Sequence, residues 1–256
     1  GFDGSRVHIH PDNGGSSLSY GAKLLGSFIG SDEFIRSKII AKAEKLKKVA
    51  SNIKKVDSKQ VQFLLLGQCF NMKVNYHSRT TSPDRMLPLL TEFDKMKLDV
   101  LEDIVEADVD EKRFLLSQMS VSLSGIGLRN SKWDSVCAFV ASNAEFYSEN
   151  PDLYEQAQVQ EPPLLCLQQI STSMEVLKQR DANLTFVSKI KDGACKTQRQ
   201  LSSLSMNAHR DAVVNQFEEK EKVIINSFFD DDCGRWLSMC PKSYLFSISD
   251  ASRKNR

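Results

Sequence analysis

The sequence predicts a mainly α-helical protein, built as a helical bundle with a small β-hairpin near its N-terminus. Apolar residues recur every three or four positions through most of the chain after residue 34, and proline, glycine and asparagine separate these stretches. A short apolar run with three glycines precedes the first helical stretch. With 41% hydrophobic residues, the 256-residue chain can bury a core. Its net charge of +1 indicates no particular class of partner.

Residues 1–34 are predicted to form loops and the hairpin. Val7–His10 and Leu24–Ile29 are short apolar segments among turn-forming residues, so both are candidate strands. Gly26 and Gly30 lack the spacing of a dinucleotide fingerprint or a P-loop. We therefore favour a hairpin turn over a phosphate-binding loop, because glycine permits the backbone angles that a tight turn requires.

The helix predicted from residue 35 to residue 56 has the strongest local charge bias in the chain. Ser31 or Asp32 can cap its first turn. Its apolar face carries Ile35, Ile39, Ala43, Leu46, Ala50 and Ile53. Its basic residues are Arg36, Lys38, Lys42, Lys45, Lys47, Lys48, Lys54 and Lys55, opposed within the helix by Glu44. Such lysines attract phosphates without reading bases. The alternatives are a solvated face, or a face docked on the acidic region at 99–111.

The rest of the chain is predicted to be helical as well. Asp57 or Ser58 starts a helix that runs toward Tyr76, and Ser82 and Pro83 open the next one, since proline is tolerated in the first turn. Further helices are predicted at 131–147, 163–180, 183–191, 197–228 and 230–239.

Breaks between these helices predict the domain organisation. Asn150–Pro151 and Glu161–Pro163 interrupt the helical pattern, so residues 148–162 are the best candidate for a linker. The predicted regions are the loop and hairpin at 1–34, a helical domain at 35–150 and a second helical lobe at 151–256.

The chemistry-bearing residues do not predict a catalytic or metal site. The six cysteines are scattered and form no CxxC pair, which favours reduced thiols in an intracellular protein. Zinc held by Cys233, Cys240 and His209 lacks a fourth ligand. A metal site at His8, His10 and Asp12 is similarly incomplete, and the acidic triplet Asp230–Asp232 suits a helix N-terminus. We expect no cofactor, and no membrane span because no apolar run reaches about 18 residues.

Several short motifs follow one another along the chain. They are Gly21–Phe34, Leu64–Phe70 with Tyr76–Thr80, the pair Phe93–Asp94, Leu123–Arg129, Ala138–Ser142, Leu201–Leu204 and Cys233–Leu237 with Pro241. In this order they resemble the region that follows the catalytic palm in non-LTR retrotransposon reverse transcriptases, and Gly21–Phe34 resembles the primer grip and the start of the helical thumb. Each motif is short, and their shared order carries the resemblance.

The resemblance implies a function in binding nucleic acid. The hairpin would lie near a primer end, and the helix at 35–56 would lie along a template–primer duplex as part of a thumb-like domain. The implied phosphate contacts are Lys38, Lys42, Lys45, Lys48, Lys55 and Arg79. The palm aspartates would precede residue 1, so we expect a nucleic-acid-binding fragment without enzymatic activity. Its partner would be RNA or an RNA–DNA duplex.

Two other functions stay open on the sequence. One is a repurposed structural subunit or protein-interaction scaffold of a larger assembly, such as a ribonucleoprotein. The other is a helical enzyme of unrecognised type, which has the least support because the sequence offers no convincing active site.

Overall fold

The computed structural model describes residues 20–159, 165–179 and 197–228. These residues are mainly helical, with one small antiparallel hairpin at their N-terminal end, so the predicted fold class is confirmed. The helices are α1 (Asp32–Lys54), α2 (Lys59–Leu64), α3 (Asn75–Thr80), α4 (Pro83–Val105), α5 (Glu111–Ser117), α6 (Ser131–Glu149), α7 (Pro151–Val159), α8 (Leu165–Lys178), α9 (Gln198–Val214) and α10 (Glu219–Ser227). A π-helical turn (Leu65–Phe70) follows α2, and a 3₁₀ turn (Val121–Leu123) follows α5.

The hairpin consists of β1 (Gly21–Leu24) and β2 (Ser27–Gly30). Leu25 and Gly26 form its two-residue turn and both have positive φ, at 48° and 94°. The turn therefore interrupts the segment 24–29 that was predicted as a single strand. The other predicted strand, Val7–His10, lies outside the described residues.

At the starts of α1 and α2, a serine side chain satisfies a free N–H group of the first turn. The Ser31 hydroxyl accepts from the Phe34 N–H at the start of α1, and the Ser58 hydroxyl accepts from the Val61 N–H at the start of α2. Pro83 lies in the first turn of α4. These starts agree with the predicted caps, because capping depends on residues close in sequence.

The main hydrophobic core lies between α1, α4 and the π-helical turn. It contains Phe34, Ile35, Ile39, Leu46, Ala50 and Ile53 of α1, with Leu66, Phe70, Val74, Met86, Leu89, Leu90, Phe93, Met96, Val100, Leu101 and Leu128. The Phe70 and Phe93 rings meet at 4.7 Å in its centre. The apolar face predicted for the first long helix is thus the face that packs on α4.

Two smaller cores lie around α6 and α9. The first joins α6, α8 and α9 and contains Cys137, Phe139, Val140, Ala141, Tyr147, Ile170, Met174, Leu177 and Leu201. The second contains Met119, Leu123, Val213, Val214, Phe217 and Ile225. Helix α6 packs on α3 and α4 as well as on α8 and α9, so it contacts helices on both sides of the predicted boundary at residue 150.

The chain is segmented differently from the prediction at three places. The helix predicted to run from residue 58 toward Tyr76 ends in the π-helical turn, and α3 begins at Asn75. Residues 151–159 are helical, although 148–162 was predicted as a linker. The helix predicted at 197–228 breaks after Val214. The helices predicted at 183–191 and 230–239 lie outside the described residues.

A buried lysine joins α4 to the loop that precedes α6. The Lys97 side chain is fully buried, and its ammonium group lies 2.8 Å from a carboxylate oxygen of Asp94. The same group donates to the carbonyl oxygens of Leu128 and Arg129 at 3.0 and 2.6 Å, and to the Ser131 hydroxyl at 2.9 Å. Burial lowers the pKa of Lys97, and the neighbouring Asp94 opposes this shift.

In the described ranges, no helix combines the length and the apolar character needed to cross a bilayer.

Candidate nucleic-acid interface

The hairpin packs against the N-terminal half of α1 and against α3. Phe28 of β2 stacks on the His77 ring with centroids 5.1 Å apart and an interplanar angle of 12°. The Tyr76 hydroxyl donates to the Leu25 carbonyl at 2.6 Å, which links α3 to the hairpin turn. The hairpin, the N-terminal half of α1 and the start of α3 thereby line one groove.

We call this depression the basic groove; its volume is about 660 Å³. Five lysines line it, namely Lys23 of β1, Lys38, Lys42 and Lys45 of α1, and Lys73 before α3. The other lining residues are Gly21, Ala22, Leu25, Gly26, Phe28, Phe34, Ala41, Tyr76 and His77. The helix period explains the α1 set, since positions i, i+4 and i+7 share one face.

The charges in the basic groove are not neutralised locally. No aspartate or glutamate lines it, and none of its five lysines forms an ion pair with another described residue. Burial lowers the pKa of Lys42, and repulsion from Lys73 and, more weakly, from two other lysines of the groove lowers it further. An anion bound here would offset the repulsion between the lysines and favour their charged forms.

The same environment lowers the pKa of His77. It is 8% exposed, and burial lowers its pKa to about 4, with further contributions from Lys42 and Lys23. The imidazole is therefore neutral at pH 7 when the groove is empty.

Other lysines of this region contact carboxylates. Lys54 lies 2.9 Å from Asp99 of α4, and Lys47 lies 3.1 Å from Glu44. The Lys54 contact agrees with the alternative in which the helix docks on the acidic 99–111 region, but only for the C-terminal end of α1. On α1, Lys47 and Lys54 are therefore engaged by carboxylates, whereas the lysines that line the basic groove are not.

The six residues predicted as phosphate contacts fall into two groups. Lys38, Lys42 and Lys45 line the basic groove, whereas Lys48, Lys55 and Arg79 do not. Lys48 and Lys55 are exposed at other positions around α1 and its C-terminus. Arg79 pairs with Glu145 of α6 at 3.1 Å.

Sequence reasoning missed Lys23 and Lys73 as members of the cluster. Neither lies in a run of basic residues, and both reach the groove because the hairpin and the π-helical turn pack on α1 while α3 packs on β2. A prediction that placed the hairpin over the first helix would have found Lys23. No local signal marks Lys73.

A second, polar cavity of about 810 Å³ lies on the other side of the segment 72–77. Most of its lining is amide and hydroxyl side chains, including Gln68, Asn71, Asn75, Gln118, Ser120, Ser122, Gln198, Ser202, Ser203 and Asn207. Its charged residues are Arg129, Arg199 and Asp134, so it lacks the one-sided charge of the basic groove.

Within the described part of the chain, no three His, Cys, Asp or Glu side chains come together as a group that could hold a metal ion. His209 stacks on Trp133 with centroids 4.0 Å apart. The other residues weighed as ligands or carboxylate sites, His8, His10, Asp12, Asp230–Asp232, Cys233 and Cys240, lie outside the described residues.

Comparison of the chain with protein-family models, curated proteins and solved structures gives no significant match.

Proposed function

We propose that this chain binds the phosphate backbone of a nucleic acid in the basic groove and has no catalytic site of its own. The observation that carries the proposal is the convergence of five lysines from three separate elements with no carboxylate among them. Two neighbouring lysines outside the groove, Lys47 and Lys54, pair with carboxylates instead. A one-sided cluster in a concave surface raises the local concentration of polyanions.

The dimensions of the groove suit a phosphate chain. Lys38 and Lys45 are seven residues apart, which is about 10 Å along a helix axis. Each strand of a duplex carries one charge per about 3.4 Å of the duplex axis, so this distance corresponds to about three phosphates of one strand. The resemblance of Gly21–Phe34 and the following motifs to the thumb region of non-LTR reverse transcriptases supports the same function.

The salt dependence of binding tests the proposal. Fluorescence anisotropy measures the affinity for a labelled RNA and for an RNA–DNA duplex over a range of NaCl concentrations. Each phosphate contact contributes about 0.7 to 0.9 to the slope of log K against log salt. The triple variant Lys42→Gln/Lys45→Gln/Lys73→Gln is therefore expected to lose about 2 to 3 units of slope.

A matched control uses three lysines of the same region outside the groove. The variant Lys47→Gln/Lys48→Gln/Lys55→Gln removes the same charge and is expected to keep nearly all of the slope. It also tests the wider prediction that Lys48 and Lys55 contact phosphate. Equal losses in both triple variants would contradict the groove as the binding site, because net charge alone would then explain them. Inorganic polyphosphate that competes as strongly as RNA at equal phosphate would argue for a general polyanion site.

The second candidate function is a structural subunit of a larger assembly. It is favoured by the apolar side chains that the hairpin exposes, since Leu24, Leu25 and Ile29 are 53%, 90% and 54% exposed. Gentle extraction followed by size measurement distinguishes the two functions. A partner protein that is retained by the Lys42→Gln triple variant and lost by Leu25→Lys would favour the scaffold.

A further inference from the structure

We propose that the basic groove selects unpaired nucleotides, with one base stacked on the ring of Tyr76. This inference rests on the proposed function and narrows its ligand from nucleic acid in general to single strands. It departs from the duplex that the thumb resemblance implies. Three features of the described residues carry it: the place of the ring, its fixed orientation and the side chains around it.

The Tyr76 ring lies among the lysines of the groove. It is 45% exposed and shares the groove lining with Lys42, Lys73 and Lys23. Single-strand-binding surfaces combine a cationic track for the backbone with aromatic rings on which bases stack. The other rings of the groove are more buried, so Tyr76 is the ring that a ligand reaches.

The ring is held in place before any ligand binds. Its hydroxyl donates to the Leu25 carbonyl at 2.6 Å, and the Tyr76 and His77 rings lie nearly perpendicular with centroids 5.8 Å apart. It also lies over Gly26, where an added Cβ would be 3.3 Å from the Tyr76 Cε1 atom. Gly26 has a φ of 94°, so glycine serves both the turn and the close approach of the ring. A fixed ring loses little conformational entropy on binding.

A duplex leaves no base face free to stack on such a ring. Its bases stack on one another, so its surface presents phosphates and base edges, whereas unpaired bases present their faces. Around Tyr76 the groove offers lysines and apolar groups, and His77 is nearly buried. Because few groups can hydrogen-bond to base edges, we expect stacking with little sequence preference.

The experiment compares three ligands of matched phosphate number: a single strand, the same strand with abasic sites, and a blunt duplex. The single strand is expected to bind the wild-type chain most tightly. Tyr76→Ala is expected to weaken its binding about 5- to 150-fold, which is the range for loss of one stacked base. The same variant should leave binding of the abasic strand unchanged.

Two further variants separate stacking from structural damage. Tyr76→Phe keeps the ring and removes the bond to Leu25, so it is expected to retain most of the affinity for the single strand. Phe146→Ala removes a ring on α6 that is 49% exposed and lies outside the groove, so it is expected to leave the affinity for all three ligands unchanged. A 2-aminopurine base in the strand reports stacking directly, through quenching that Tyr76→Ala should abolish.

The outcomes distinguish this inference from the proposed function. Equal affinity for the intact and abasic strands, or tighter binding of the duplex, would overturn the stacking inference while salt-dependent binding stayed intact. If no ligand showed salt-dependent binding that the groove lysines control, the proposed function itself would fail, and this inference with it.

Discussion

Replacing the buried Lys97 with methionine tests how the fold holds α4 against the start of α6. Methionine retains most of the length of the side chain but none of its donors. The substitution leaves the Asp94 carboxylate, 2.8 Å from the ammonium group in the wild type, without its cationic partner. It also removes the donor that serves the Leu128 and Arg129 carbonyl oxygens. The Ser131 N–H still reaches Asp94 at 3.4 Å, a long contact for the charge that remains.

The expected loss of stability is large. Breaking a buried ion pair by removing one partner typically costs about 3 to 5 kcal/mol, because the remaining charge stays buried. Globular domains are stable by about 5 to 15 kcal/mol in total. Lys97→Met is therefore expected to remove about a fifth of the unfolding free energy or more. For a chain of this size each kcal/mol shifts Tm by about 2 to 4 °C, so Tm should fall by at least about 6 °C.

Urea unfolding followed by circular dichroism at 222 nm measures the loss, and α4 supplies its own control. Lys95 is two residues away and pairs with Glu92 on the surface, where its side chain is 68% exposed. Lys95→Met is expected to cost under about 0.5 kcal/mol. Adding Asp94→Asn to Lys97→Met should recover part of the loss, since it removes the buried charge. If Lys97→Met were no less stable than Lys95→Met, the buried network would not hold the loop.

Two further predictions concern pH and backbone packing. The pKa of His77 is about 4 in the fold and about 6.5 in an unfolded chain, so the unfolded state binds more protons between these values. Stability should therefore fall as pH drops from about 6.5 to about 4, by at most about 3 kcal/mol before solvent screening reduces it. Urea unfolding at several pH values should show a smaller fall for His77→Asn than for the wild type. Parallel curves for the two proteins would show that His77 does not cause the pH dependence. Gly125→Ala is expected to lower stability by about 1 to 3 kcal/mol in thermal unfolding, because a Cβ there would overlap the Met119 and Leu116 carbonyl oxygens. Gly67→Ala, with open space around the added Cβ, should be nearly neutral, and an equal loss in both variants would refute the clash.

The sequence predicts well what depends on neighbours in the chain. The starts of α1, α2 and α4 follow from Ser31, Ser58 and Pro83, and each signal lies within a few residues of the helix it begins. The apolar face of α1 follows from helix periodicity in the same way. These features need no knowledge of the rest of the fold.

The break between α2 and α3 shows where such prediction ends. The apolar pattern continues from α2 toward Tyr76, and no proline interrupts it. Asn71, however, is 3% exposed and donates to the Gly127 carbonyl, 56 residues away in the chain. This long-range hydrogen bond lies where the π-helical turn ends, shortly before α3 begins at Asn75. Local periodicity carries no information about it.

The candidate site has the same division. The sequence predicts that Lys38, Lys42 and Lys45 share one face of a helix. It does not distinguish them from the lysines of α1 that pair with carboxylates, Lys47 and Lys54. What separates them is the position of α4, whose Asp99 neutralises Lys54. The sequence shows that α1 is basic, whereas the packing determines which of its charges stay available.

This division connects the fold to the proposed function. On the side toward α4, Lys54 at the end of α1 pairs with Asp99, so this charge is engaged within the fold. On the side toward the hairpin, packing adds Lys23 and Lys73 to the lysines of α1 and adds no carboxylate. Burial lowers the pKa of Lys42, and repulsion from Lys73 lowers it further, so assembling these like charges is unfavourable. A polyanion in the groove would relieve that repulsion, so ligand binding is expected to stabilise the arrangement of hairpin, α1 and α3.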